Sequence, residues 1–342
     1  MKIRSITCFY HPGSPHAGQV LSRLTELSKT ARRRFVESGF EVQTTRLATV
    51  PFPLLLDEIS EEKAAAMAVS LQNQAFAAGF TYLSLGPALP DVPGSYALIP
   101  AMLAATRNVF FSGKIATPEE GVILPAVQAC GKVIAQAAGL APDGFSNLCF
   151  AALANVPPYG PFFPSSYSGG AQPAFALAIE AADVALAVFK QAKTLASARK
   201  RLLQTLEEQG RVLTEISNEL SATFEIEFKG IDFSLAPFPN AWSSIGSALE
   251  KLGPPQLGMS GSLAAAAFLA DTLDEGHWQR SGFNGLMLPV LEDATLAQRA
   301  ADGSLTVTDL LLYSAVCGTG LDTVPLPGEA SPEQLAAVLL DV

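Results

Sequence analysis

Charge is scarce in this sequence. Of its 342 residues, 16% are Asp, Glu, Lys or Arg, where an average globular protein carries about a quarter. Buried charge is costly, so a chain this poor in it has a large interior or a broad subunit interface. The balance is acidic, with 22 basic and 32 acidic residues and a formal net charge of −10. That argues against a nucleic-acid partner, whose phosphates need clustered Lys and Arg. The one dense basic run, Arg32-Arg33-Arg34, reads as a solvated helix face.

Cysteine and histidine are few. Cys8, Cys130, Cys149 and Cys317 lie far apart with no CxxC pair, which fits neither a zinc site nor a disulfide framework. Reduced thiols in a cytoplasmic protein are the simplest reading. His11 and His16 have no nearby carboxylate pair, His277 reads as part of an exposed surface turn, and no nucleophile-elbow signature is present. Neither a dinucleotide fingerprint nor a P-loop lysine is present. No metal and no cofactor is therefore expected. Long apolar runs are missing too. Ala171–Phe189 comes nearest, but Glu180 and Asp183 interrupt it, and a spanning helix needs about 20 predominantly apolar residues. The opening Met1-Lys2-Ile3-Arg4 leads into no apolar signal region. The expectation is a cytoplasmic protein with no membrane partner.

What is present is α/β alternation. Ile3–Tyr10 alternates as a strand and stops at His11-Pro12-Gly13; Gly18–Ser38 has helical spacing; Glu41–Leu47 is the next strand. This opening is one βαβ unit. Ser60 starts a helix to about residue 78, and Thr81–Gly86 is a strand. Ala97–Thr106 reads as a helix and Asn108–Phe111 as a strand. Thr117-Pro118-Glu119-Glu120 has the form of a helix start running on to about Ala138. Asn147–Ala154 is a buried strand. Pro157–Gly170 is a long Pro, Gly and aromatic loop, a length that is often functional. Pro173–Lys190 and Thr194–Asn218 read as helices and Phe224–Ser234 as a strand. Trp242–Leu252 and Leu263–Leu273 read as helices, Gly285–Val290 as a strand and Thr306–Cys317 as an apolar helix; Ser331 caps a last helix. The order predicts a largely parallel sheet, open or closed, with helices outside.

Several residues carry potential chemistry. Cys317 sits between an apolar helix and Gly318-x-Gly320, either as a buried small hydrophobe or as a presented thiol. Asp322 orients a ligand or caps backbone. Asp232 and Ser234 share one face of a strand. Ser260-Gly261-Ser262 reads as an ordinary N-cap or as an anion-binding helix start. Tyr159, Phe162, Phe163 and Tyr167 form a lid, a pocket wall or a subunit contact.

The stretches GIDFSLAPFP (230–239), SALEKLG (247–253), GFNGLMLPVLED (282–293), GSL (303–305) and CGTGLDTVPLP (317–327), with IRSIT at the start, resemble domain-of-unknown-function family 711. The similarity covers most of the chain. It implies a fold like that of pyruvate formate-lyase: two parallel half-barrels forming a ten-stranded barrel wrapped by helices. A cysteine-bearing loop projects into the barrel in those enzymes. Residues 1–342 are then one domain, with pseudo-halves 1–155 and 220–342 joined by 156–219. Relatives continue past the point where this chain ends, so the resemblance implies a barrel incomplete at its carboxyl end. No Arg-Val-x-Gly-Tyr segment is present, so no glycyl radical is expected.

The functional expectation is an enzyme acting by non-radical chemistry on a small polar metabolite at the barrel mouth. Cys317 and Asp322 are the catalytic candidates. Asp232, Ser234, Ser260, Asn284 and Tyr167 would hold the ligand, with Asn284 at the barrel rim or in a plain Asn-Gly turn. The alternatives are a non-catalytic binder of such a metabolite and an assembly component. A homo-oligomer is expected.

Overall fold

In the computed structural model, which describes residues 1–170 and 172–342, the chain forms one mixed sheet with helices packed against it. The first part runs β1 (Lys2–Tyr10), α1 (Ala17–Glu37), β2 (Val42–Thr49), α2 (Glu61–Ala77), β3 (Tyr82–Ala88) and α3 (Ile99–Ala105). Next come β4 (Val109–Thr117), β5 (Gly121–Val122), α4 (Leu124–Ala138), the single turn α5 (Phe145–Leu148) and β6 (Phe150–Ala154). After the long loop follow β7 (Ala174–Glu180), α6 (Ala182–Gln191), α7 (Leu195–Phe224) and β8 (Glu227–Ala236). The rest is helical or irregular: α8 (Ile245–Glu250), α9 (Ser262–Asp274), α10 (Ala294–Ala301), α11 (Val307–Cys317) and α12 (Pro332–Asp341). No helix among the described residues is long and apolar enough to cross a membrane.

The main strands lie in the order β6-β4-β3-β2-β1-β7-β8, with β5 as a hairpin arm on β4. From β6 to β1 all neighbours are parallel. β1 and β7 are antiparallel, and β7 and β8 are parallel again. Two parallel blocks thus meet head to tail at one junction. A single parallel bridge, Ile231 to Arg280, extends the second block. The eight-stranded sheet is not closed by hydrogen bonds among the described residues, so the α/β class holds and eight sheet strands stand where the resemblance implies a ten-stranded barrel.

Three local expectations are corrected. The stretch 173–190 is not one helix: Ala174–Glu180 is a strand paired on both sides, with β1 and β8, and helix begins only at Ala182. Alanine's helix propensity masked a strict alternation. Phe175, Leu177 and Ile179 enter the main core, while Ala174, Ala176 and Ala178 face the other way. β7 therefore opens the second block inside the segment taken as a joining region. Ala171, first residue of the alanine-rich stretch, lies outside the described residues. Pro118–Glu120 is the turn of the β4–β5 hairpin, and α4 starts at Leu124 with proline in its first turn. Residues 285–290 are irregular rather than a strand.

The two faces of the sheet differ. One carries Ile6, Cys8, Leu47, Leu83, Phe111, Phe175 and Phe233 into the apolar core under the helices. The other carries small and polar side chains, onto which the segment 157–170 is laid. Phe175 is fully buried and its ring lies 5.1 Å from that of Phe228. Phe175→Ala is expected to cost about 3–5 kcal/mol of stability, read as a lower midpoint in urea unfolding.

Candidate functional site

Strands of parallel blocks usually bury apolar side chains on both faces. Here the face beneath 157–170 is hydroxyl-rich. Thr7 and Ser5 both donate to the carbonyl of Pro161, at 2.9 and 3.3 Å. Ser84 on β3 donates to the carbonyl of Ser166 at 2.7 Å, and the amide of Ser168 donates to the carbonyl of Thr49 at 2.8 Å. These bonds satisfy loop backbone that would otherwise be buried at a cost. Ala48, Ala174 and Ala176 leave room for Tyr159 and Phe163 to pack close to the sheet, where the Tyr159 ring meets that of Phe9 edge-on.

At β8, Asp232, Ser234 and Asn284 converge. Asp232 is fully buried, and its carboxylate receives four donors. Oδ1 accepts from the Ser234 hydroxyl at 2.5 Å, the Ser234 amide at 3.1 Å and the Asn284 amide at 3.0 Å; Oδ2 accepts from the Phe283 amide at 2.7 Å. Burial pushes the carboxyl up to about 6, with those donors opposing the rise. Asn284 is equally committed. Its Oδ1 accepts from the Phe233 amide and the Trp278 indole, and its Nδ2 donates to the Ser281 carbonyl. A Cβ on Gly282 would stand 2.2 Å from Asp232 Oδ2, so only glycine lets the loop come this close. With its acceptors occupied, the group is a clamp that fixes 281–285 to β8.

The clamp leads on to Cys317. The Gly285 amide donates to Ser234 Oγ at 3.3 Å, and the next amide, Leu286, donates to the carbonyl of Cys317 at 2.8 Å. The thiol itself is 1% exposed and packs with the main core. Its sulfur accepts from the amides of Thr319 and Gly320, at 3.4 and 3.3 Å, within its own turn. It stands at a helix C-terminus, the end that disfavours a thiolate. Of the two sequence readings, its place is that of the buried small hydrophobe rather than the presented thiol. Tyr167 is buried, its hydroxyl donates to the Val156 carbonyl at 2.8 Å, and burial pushes it up to about 12. Ser260 is exposed in the turn before α9, which packs on α7, α8 and α11, and it shares no hydrogen bond with the clamp.

A second polar group lies where β1 and β2 begin and β7 ends. Arg4 bridges Glu180 at 2.9 Å and also pairs with Glu292. Gln43 donates to the second oxygen of Glu180 at 2.6 Å. Arg46 is 7% exposed, and its Nε donates to Thr44 Oγ1 at 3.0 Å. Its guanidinium carbon lies 5.4 Å from the ring centre of Tyr82 and 5.2 Å from that of Phe163. Among the described residues no carboxylate forms an ion pair with it, and its Nη groups make no hydrogen bond. Burial, then the positive charge of Arg4, push Arg46 down to about 9, against the opposing pull of Tyr82, Glu292 and Glu180. Half-buried Asp322 completes the group. Burial, then the Glu292 carboxylate, push it up to about 7, against the opposing pull of Arg4. The next residue, Thr323, has a φ of 42°, a conformation that β-branched residues seldom adopt, and its hydroxyl is buried without a partner.

Sequence reasoning singled out Asp322 but neither arginine. The available signal was that Arg4, Arg46 and Glu180 fall inside strands of a chain that uses charge sparingly.

The chain matches the family described as Uncharacterised ACR (DUF711) over residues 1–342. It is 30% identical over 322 residues to a UPF0210 protein of Pyrobaculum arsenaticum, covering 89% of this chain and 70% of the relative. A UPF0210 protein of Acetivibrio thermocellus is 27% identical over 323 residues, covering 89% and 71%. One from Methanosarcina acetivorans is 28% identical over 340 residues, covering 94% and 73%.

Asp232 and Asp322 are both raised above the ordinary carboxylate range near ~4. Between that range and their folded values, the folded state holds more protons than the unfolded state. Their contribution to stability is therefore full at acid pH and is lost as pH rises through about 6 for Asp232 and about 7 for Asp322. Asp322→Asn should abolish the decline between about pH 6 and 7, where only Asp322 titrates, and roughly halve its slope between about pH 4 and 6, where both groups contribute. Urea midpoints of both proteins across pH 4–8 (about the span of both titrations) check this; parallel curves would count against it.

Proposed function

Because the chain belongs to the uncharacterised DUF711 family, its activity has to be read from its own geometry, and we propose that it is an enzyme that binds a small carboxylate metabolite at Arg46 and acts on it by non-radical acid–base chemistry. The observation that carries this reading is the buried Arg46 guanidinium, flanked by Tyr82 and Phe163, with no carboxylate in ion-pair contact among the described residues. An unpaired buried charge costs several kcal/mol. A carboxylate is its natural complement, because the planar fork of Nη donors matches two oxygens side by side. With Nε already held by Thr44, the free Nη groups set the direction of approach.

Asp322 supplies the acid–base group. Glu292 is tied to Arg4, while Asp322 makes no hydrogen bond to any described residue. A carboxyl poised near neutrality exchanges a proton with substrate efficiently in either direction. The same reading takes the two parallel blocks as counterparts of the half-barrels of pyruvate formate-lyase, with the site where the second block's strands end. A binder without turnover is the second reading. It is favoured by the sealed Cys317 sulfur and the saturated Asp232, which leave Asp322 as the one free acid of the site.

Thermal-shift titration with a panel of mono- and dicarboxylates tests the anchor. Arg46→Met should stabilise the free protein and weaken carboxylate binding by about 100-fold, the scale of losing one member of a buried charge pair. Equal binding by wild type and Arg46→Met would overturn the proposal. For any carboxylate that binds, turnover lost in Asp322→Asn with binding retained supports the enzyme; binding with no turnover in the wild type leaves the binder.

A further inference from the structure

The other end of the same face holds a group that the reading above does not use. Ser112 and Lys114 alternate with the core residues Phe111, Gly113 and Ile115 on β4, so they point toward the covering loop. Ser166, in that loop, is fixed above β3 by its carbonyl, which accepts from Ser84. Ser112 and Ser166 are both fully buried, and neither hydroxyl has a hydrogen-bond partner. The Lys114 ammonium lies 5.0 Å from the ring centre of Tyr167, the residue after Ser166, and forms no ion pair among the described residues. Burial lowers its pKa, opposed by the more distant charges of Asp91 and Glu119.

Two orphaned hydroxyls and an unpaired ammonium over neighbouring strands form a set of donors without an acceptor. Leaving buried hydroxyls unbonded costs stability, and such orphans are rare enough to call for an explanation. A compact ammonium with hydroxyl donors suits a tetrahedral, multiply charged oxyanion better than a planar carboxylate, for which the guanidinium fork is the better match. We infer that Lys114, Ser112 and Ser166 form a binding site for a phosphoryl group beneath the Pro157–Gly170 segment, separate from the Arg46 site. Separation follows from the register: Arg46 pairs with Tyr82 at the start of β3, whereas Lys114 lies near the carboxyl end of β4. To reach the phosphoryl group, the ammonium leaves the Tyr167 ring face.

Titration of the full chain with inorganic phosphate at constant ionic strength, with chloride as the control, tests the inference. Wild type should bind phosphate and not chloride. Lys114→Met should weaken phosphate by tenfold or more, and Ser112→Ala or Ser166→Ala by about tenfold each. Without phosphate, the two alanine variants should melt higher than wild type by about 2 °C, because each removes an unsatisfied buried hydroxyl. Arg46→Met should bind phosphate as wild type does, which keeps this outcome distinct from that of the carboxylate site. Absence of phosphate binding by the wild type, or equal binding by Lys114→Met, would overturn the inference. So would a lower melting temperature in both alanine variants, since buried water would then be satisfying the hydroxyls.

Discussion

One buried carboxylate organises the carboxyl-terminal third of the molecule. Asp232 forms no ion pair among the described residues and is held by four hydrogen-bond donors, three of them main-chain amides. Because it takes amides from Phe283 and Asn284, an irregular segment is fastened to β8 without becoming a strand of the sheet. That segment in turn positions the Cys317 turn through Leu286. A Cβ on Gly285 would stand 2.5 Å from the Cys317 carbonyl, so the two loops meet through glycine. The chain then runs on to Asp322 beside the Arg4–Glu292 pair. Distant stretches of sequence thus act as one unit because a single acid has more donors than its charge requires.

Arg46 shows the opposite condition. Asp232 has its full complement of partners, whereas Arg46 has a hydroxyl, two aromatic rings and, among the described residues, no carboxylate in ion-pair contact. Ring faces attract a guanidinium, but they do not replace the water it has lost. In a chain with so little charge, this contrast is the clearest physical distinction between a side chain that builds the fold and one held ready for something else.

Locally encoded features were legible in the sequence. The caps at Ser60, Thr306 and Ser331 each accept the expected backbone amide, because cap and helix lie within four residues of one another. The shared face of Asp232 and Ser234 follows from the two-residue period of a strand. The link from Asp232 to Asn284, 52 positions on, has no local signature. Nor does the pairing of β1 with β7, which reverses strand direction within the sheet. β7 was lost to alanine: its alternation was present, but the small residues on one face carry a helical bias that only the covering loop explains. Thr117-Pro118-Glu119 has the composition of a helix start, yet the β4–β5 hairpin claims it. The arginines went unremarked because a strand pattern ranks residues by apolarity and says nothing about which charge will lack a partner.

The junction between β1 and β7 has one more implication. In a wholly parallel sheet every strand ends at the same rim, and ligand chemistry gathers at that rim. Because this sheet reverses between β1 and β7, with five main strands on one side and two on the other, each rim receives the carboxyl ends of one block and the amino ends of the other. The loops that follow the strands of the two blocks are therefore set at opposite rims of one surface.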